Sequence, residues 1–235
     1  MVNPSDTTVS VLLVIATNGR RDTIERSIPS LAEHVHGPFT QLVILDDSGD
    51  RSYAYWLESC FGLGSEYGFE VHSGGPRGYD GAYRWRMDFI ARSGAQWCFL
   101  HEDDFLYEQD VPLNSWIEIM EKRPSLLQIS LKRQAWFPHE VAAGGIVEAK
   151  PEAFADVVMD GWPMTTHKDY WTFNPTLFRT VTAQEVRFPL GPASEWNFHK
   201  ALMRQQRSGY YALWGSMYDA PTCTHIGDER VGSRY

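Results

Sequence analysis

The sequence predicts an α/β fold: one domain with a mostly parallel central sheet flanked by helices and an irregular C-terminal half. Three observations predict it. Apolar, β-branched runs alternate with amphipathic segments through the first half of the chain, in the order β-α-β-α-β-α-β. Two of those runs end in acids, LDDSGD and HEDDF, and in a parallel sheet with right-handed crossovers both ends face one crevice. Finally, 235 residues with 43% hydrophobic content suit one large α/β domain, and no linker-like stretch divides them.

The elements follow in order. VSVLLVIAT (9–17) is a buried strand. After the NGRR turn, Asp22 with Glu25 three residues later is expected to form a capping box, and Ile24, Ile28, Leu31 and Val35 share one helical face. QLVILDD (41–47) is a second strand, 53–61 a helix, and FEVHSGG (69–75) a short strand running into a glycine-rich loop. Residues 81–93 predict a helix with Ala82, Trp85 and Phe89 on its apolar face, and QWCFLHEDD (96–104) is the fourth strand. Beyond it, 112–123 reads as helix, LLQISL (126–131) as strand and 132–150 as loop. A short strand and helix fall within 172–181, and 194–207 is a helix expected to be capped by Ser194.

Charge and composition narrow the function. A formal net charge of −9 argues against duplex nucleic acid as a partner. An acidic chain still takes an anionic ligand where cationic side chains or a metal gather. Cys60, Cys98 and Cys223 have neither zinc spacing nor the pattern of a disulfide framework, which suits a reducing compartment. The opening MVNPSDTTVS has no leader pattern, and every apolar run falls far short of the roughly 20 residues of a membrane span. A cytoplasmic protein without an integral membrane segment is therefore expected. Aromatics make up 14% of the chain, and Trp136, Trp162, Trp171 and Trp196 are candidates for sugar stacking.

The acids of FLHEDDFLY (99–107) raise the central chemical question. Adjacent carboxylates repel and raise each other's pKa unless a cation sits between them. At the end of a buried strand that cation is expected to be Mg²⁺ or Mn²⁺, since hard oxygen ligands suit both and both bridge to phosphates. Without such a cation the acids read as an ordinary solvated loop. In GGPRGYDGAYR (74–84) a glycine-rich loop leaves a strand and enters a helix, where backbone N–H groups can meet an anion. Arg77 lies in that loop and offers a forked donor set. Arg84 is expected to pair with Asp80 or Asp88 on the helix instead. Glu195 stands in the first turn of a predicted helix, where any acid also stabilises the helix dipole. His139, His167 and His199 have no metal spacing with one another.

These motifs together resemble GT-A glycosyltransferases, most closely family 2. VLLVIATNGRRDTIERSIPSL resembles the family's first strand, T-x-N turn and first helix; LVILDDSGD resembles its second-strand motif; FLHEDDF resembles its D-x-D-D segment, with His101 where an acid is common. The resemblance covers 9–110 well and continues more weakly over 172–202. It implies a single GT-A domain, with 9–110 as the nucleotide-sugar-binding half and 111–235 as the acceptor-binding half. It also implies roles. Thr17 would lie beside the base, Asp47 would accept the base N3–H, and Asp46 would support the turn. Asp103 would contact ribose or metal, and Asp104 would be the principal metal ligand. Glu195 would be the general base of an inverting displacement, and His225 a late metal ligand of the Mn²⁺ or Mg²⁺ site. Arg230 and Arg234 would close over the diphosphate. The implied donor is a UDP-sugar and the acceptor a hydroxyl on a glycan, protein or lipid-linked carrier. The departure at His101 implies weaker metal binding or another ligand.

Two rivals remain open at this level. A sugar-phosphate nucleotidyltransferase would carry a glycine-rich, basic signature directly after its first strand, and ATNGRRD is too short and glycine-poor for that. A non-catalytic carbohydrate-binding protein on a decayed GT-A fold would explain His101.

Overall fold

The computed structural model describes residues 9–227. Its elements are β1 (Val11–Thr17), α1 (Arg21–His34), β2 (Val35–His36), β3 (Phe39–Asp46), α2 (Arg51–Phe61), β4 (Glu70–Ser73), α3 (Gly78–Arg92), β5 (Trp97–Glu102), β6 (Phe105–Tyr107), β7 (Val111–Pro112), α4 (Leu113–Glu121), β8 (Leu126–Ser130), α5 (Pro138–Ala143), β9 (Phe154–Met159), β10 (Trp162–His167), β11 (Thr176–Arg179), α6 (Val181–Glu185), α7 (Ser194–Gln205), β12 (Tyr210–Trp214) and β13 (Cys223–His225). Nine strands make one sheet in the order β4-β3-β1-β5-β11-β8-β12-β10-β9. Strands β4, β3, β1 and β5 run parallel. Strand β11 enters antiparallel between β5 and β8, and β12 runs parallel to β8. An antiparallel β9–β10 hairpin closes the far edge.

From β1 the chain moves to β3 and β4 on one side, then returns to β5 on the other. This reversal makes the carboxyl ends of β1 and β5 a topological switch point, the place where open α/β sheets bind ligands. Thr17 ends β1, and the turn holding Asp103 and Asp104 follows β5.

Strand alternation divides the core into two layers. Val11, Leu13 and Ile15 of β1 pack with Ile24, Ile28 and Leu31 of α1, Leu57 of α2 and Trp116 of α4. Leu12 and Val14 face the other way, onto Tyr83, Met87 and Ile90 of α3 and Phe198 and Leu202 of α7. Strand β1 lies between β3 and β5 with both faces covered, which is why its seven residues are uniformly buried and apolar up to Thr17.

Several local expectations are corrected. Asp22 and Glu25 form no capping box: Arg20 holds the cap position of α1 without a side-chain cap, and both acids are exposed in the helix. Asp50 instead caps α2, accepting from the Ser52 and Tyr53 amides at 2.7 and 3.4 Å. Helix α3 begins three residues before 81, and its buried face carries Ala82, Tyr83, Arg86, Met87 and Ile90. Trp85 and Phe89 sit beside that face, against Arg77 and His72. Ser194 is the first residue of α7 rather than its cap; Ala193 holds the cap position at φ 55°, and the Ser194 hydroxyl donates to Asp80 at 2.9 Å. Arg84 pairs with neither Asp80 nor Asp88 but donates to the Phe188 carbonyl at 2.7 Å.

The hairpin of β9 and β10 and strand β12 went unassigned from sequence. The Asp160-Gly161 turn, with both residues at positive φ, is the local signal that marks such a hairpin.

Because β1 is the shared spine of both layers, Ile15→Ala is expected to destabilise the fold by about 2–5 kcal/mol, seen as a lower urea midpoint with unchanged slope. A loss under about 1 kcal/mol would contradict the two-layer packing described here.

Candidate functional site

The site is built where β1, β3 and β5 end side by side. Alternation on β5 decides what each residue of HEDDF does. His101 follows Trp97 and Phe99 onto the α1 face, and Glu102 follows Cys98 and Leu100 onto the α3 face. His101 is wholly buried, its ring nitrogens meeting Ser27 Oγ and Tyr107 Oη. Burial pushes its pKa down to about 3, with Asp104 opposing. It is thus a neutral packing residue whose ring is engaged by α1 and β6, which gives the departure from the family pattern a structural reason.

Asp103 and Asp104 are 0% and 2% exposed, so the solvated-loop reading is excluded. The cation between them is a side chain. Arg20, from the turn after β1, donates from Nη1 to Asp104 Oδ2 at 2.6 Å and from Nη2 to Asp103 Oδ1. Thr17 donates its hydroxyl to the other Asp103 oxygen at 2.5 Å and lies 2.6 Å from Tyr53 Oη. Both Asp103 oxygens are therefore engaged, one by Thr17 and one by Arg20. Burial pushes Asp103 up to about 7, with Arg20 pulling the other way. Burial also acts to raise Asp104, but the hydrogen bond from His225 and the Arg20 charge hold it well below the usual carboxylate range.

His225 reaches Asp104 from the last strand. β13 pairs antiparallel with β6, which places His225 opposite Phe105. Its backbone is clamped by Gln134, which accepts from His225 N at 2.9 Å and donates to its carbonyl at 2.8 Å. The ring stands edge-on to Trp136 at 3.7 Å, with Nε2 3.2 Å from Asp104 Oδ2.

The donor set can be tested against a divalent cation. Asp104 Oδ1 is buried without a hydrogen-bond partner, as is His225 Nδ1. One free carboxylate oxygen beside an imidazole suits Mn²⁺ or Mg²⁺. Among the described residues no group of three or more His, Cys, Asp or Glu converges on one point. The pair thus fits a cation whose coordination is completed by a ligand's own oxygens.

Asp47, directly after β3, accepts from the Arg77 amide at 3.0 Å and from Arg77 Nη1 at 2.7 Å, and the guanidinium lies over Trp85 at 4.0 Å. Close approach of backbone is required here: Gly75 is at φ +88°, and a Cβ on it would run into the Asp47 carboxylate. Asp46 is buried beneath, with one oxygen accepting from the Ser48 amide at 2.8 Å, and supports the turn.

Glu195 is half-buried at the start of α7 and accepts a hydrogen bond from the Tyr79 hydroxyl of α3. Burial pushes its pKa up to about 7, with the Tyr79 bond and Arg86 opposing and Glu102 reinforcing. Tyr79, Tyr83 and Arg86 recur at helical spacing on α3. Tyr83 and Arg86 each donate to Glu102 at 2.8 Å. Glu102, Glu195, His225, Trp136 and Trp171 line one cavity of about 390 Å³, within the usual ligand-pocket range. Thr17, Arg20, Glu102 and Asp104 line a smaller pocket that shares Tyr79 and Tyr83 with it.

Of the sequence-derived residues, Thr17 is paired with Asp103 and His225 with Asp104, the two pairs being bridged by Arg20; Asp47 pairs with Arg77, and Glu195 reaches the adjoining cavity. Trp136 and Trp171 line that cavity, and Trp196 lies at a neighbouring one. Trp162 does not join them; it packs on Trp214 at the far sheet edge. Arg230 and Arg234 lie outside the described residues. Glu102, read from sequence with the other acids of the turn, is held by Tyr83 and Arg86 instead; Arg20, Tyr79, Tyr83 and Arg86 were not identified from sequence. Arg20 had a signal, being the cation in the turn that leads out of β1 toward the acids.

No family model matches the chain, and no curated protein matches it significantly in sequence. Among solved structures, it is similar to S. aureus TarS residues 1–349, with TM-score 0.60 and 15% identity over 93% of this chain and 61% of that one. A longer S. aureus TarS structure matches with TM-score 0.61 and 14% identity, over 93% of this chain and 37% of that one. The 1–349 form in complex with UDP-GlcNAc matches with TM-score 0.58 and 15% identity, over 95% and 62%. TarS is a GT-A-type glycosyltransferase, and this chain has the same fold. The chain spans less than two thirds of each TarS chain. Among the described residues, no helix is long and apolar enough to cross a membrane.

Since His101 serves packing, His101→Asp is expected to leave Mn²⁺ affinity unimproved and to lower stability by about 1–3 kcal/mol through a poorly paired buried carboxyl. Tighter Mn²⁺ binding in a stable variant would show instead that position 101 reaches the metal.

Proposed function

We propose that this chain transfers a sugar from a nucleotide-diphosphate sugar, a UDP-sugar, to a hydroxyl acceptor, with metal assistance and inversion. One observation carries the reading: Glu195, remote in sequence, is joined by Tyr79 to the cavity that adjoins the acid turn of the nucleotide-sugar half. The fold shared with a TarS chain that binds UDP-GlcNAc supports the donor class. His101 no longer argues for a decayed site, because its ring is engaged by α1 and β6.

In this reading Asp47 and Arg77 receive the base, the Arg77 amide and guanidinium holding the carboxylate in place and Trp85 backing the guanidinium. Asp104 and His225 hold Mn²⁺ or Mg²⁺, which when bound stabilises the charge of the departing diphosphate. Asp103 and Thr17 keep the acid turn in register. Glu195 takes the proton of the acceptor hydroxyl. A carboxyl raised to about 7 is a far better base at neutral pH than an ordinary one, because proton transfer is most effective when the catalytic pKa lies near the working pH. Tyr79 orients its oxygen, and Trp136 and Trp171 line the cavity in which an acceptor sugar would sit.

UDP release from a panel of UDP-sugars with Mn²⁺ present tests the assignment directly; no turnover and no binding of any donor would reject it. Asp47→Ala should weaken UDP binding about 5- to 150-fold, with and without Mn²⁺, because a base contact of about 1–3 kcal/mol needs no metal. Unchanged UDP affinity would remove Asp47 from base recognition.

Glu195→Gln should keep donor affinity while kcat falls roughly 10²–10⁴-fold, the usual worth of a general base. In the wild type kcat/KM should rise with pH through about 7, and the variant should lose that limb. The sign for stability is opposite: a carboxyl whose folded pKa lies above its ordinary 4.5 weakens the fold as pH climbs from there through about 7. The variant should therefore melt no lower than wild type at pH 8. Near-normal kcat would take the base from the mechanism.

A further inference from the structure

We infer that Arg20 is an internal counter-cation that occupies the acid turn until a diphosphate arrives, making metal binding conditional on the donor. The inference rests on the metal-and-nucleotide reading above and assigns a residue that reading leaves without a role.

Arg20 is anchored at its backbone as well as at its tip. Its carbonyl accepts from the Ile24 amide at 3.2 Å and the Thr23 hydroxyl at 3.1 Å, so the first turn of α1 fixes where the side chain starts. The guanidinium then spans two different carboxylates, one nitrogen on each. This is not the parallel fork on one carboxylate that gives the strongest pairing. Its single positive charge is divided between the two acids, while Arg20 Nε stays buried without a partner.

The contact with Asp104 falls on the oxygen that His225 also approaches. A divalent cation held by Asp104 and His225 would have to share that carboxylate with a full positive charge already in contact with it. Like charges at such distances repel strongly in a site shielded from water, so Arg20 opposes the metal while the site holds no anion. A diphosphate changes the balance. Arg20 lines the same pocket as Thr17 and Asp104 and is 19% exposed. Its nitrogens can therefore turn to phosphate oxygens, an equally good partner for a guanidinium. The carboxylate is then released to the metal, and the anion compensates both cations. Metal and donor must then strengthen each other's binding by one and the same factor.

The experiment is calorimetric titration of Mn²⁺ into wild type, Arg20→Gln and Arg20→Lys, each with and without saturating UDP. Wild type should bind Mn²⁺ about tenfold or more tightly with UDP than without. Arg20→Gln should bind Mn²⁺ about tenfold more tightly than wild type when UDP is absent, and its gain from UDP should shrink correspondingly. A residue that merely braced the acids would give the reverse, weaker metal binding on removal. Should Arg20→Gln not fold, Arg20→Lys carries the test: a point charge cannot span both acids, and UDP-free Mn²⁺ affinity should rise about threefold. Mn²⁺ binding that neither folded variant strengthens overturns the inference alone. Absence of Mn²⁺ binding in every form, with UDP present, overturns the metal reading and the inference together.

Discussion

Two buried carboxylates adjacent in sequence are tolerated only with a cation between them, and that constraint organises this site. The turn after β5 carries Asp103 and Asp104 into the interior because β5 is the central parallel strand nearest the switch point. The charge that makes this tolerable comes from Arg20, which enters from the end of the neighbouring strand. Strand adjacency is what brings the two ends together: β1 and β5 pair in parallel, with Ala16 opposite Glu102. Thr17, Tyr53, Arg20 and His225 are then all engaged, directly or through one another, in holding the acid turn.

A second constraint follows from the pleat. Successive residues of β5 face opposite helical layers, so one segment serves two ends. His101 ties β5 to α1 and β6 in the packed interior, while Glu102 binds Tyr83 and Arg86 of α3 at the cavity wall. Helix α3 in turn passes Tyr79 to Glu195. The two halves of the chain are thereby joined by polar contacts at the cavity as well as by the continuous sheet.

The Asp47–Arg77 pair shows how a short loop is made specific. The carboxylate is reached by a backbone amide and a guanidinium from the same residue, and the guanidinium is backed by an indole ring. The approach is so close that only glycine fits at position 75. The side chains of this loop are ordered by contacts within the chain itself.

Much of this was legible beforehand. Continuous apolar runs, interrupted by helical faces such as Ile24, Ile28 and Leu31, determine the alternation of strands and helices, and the acids mark the strand ends at which such sheets bind ligands. What local pattern could not decide was which groups meet. Arg20 contacts Asp104 across 84 positions, and Tyr79 contacts Glu195 across 116; no window of sequence spans either distance. Nor could it say that His101 turns inward while Glu102 faces the cavity, because a strand's two faces are equivalent until helices pack on them. Periodicity is a property of the backbone and is written locally, whereas charge compensation in a buried site depends on which strand ends the fold sets side by side.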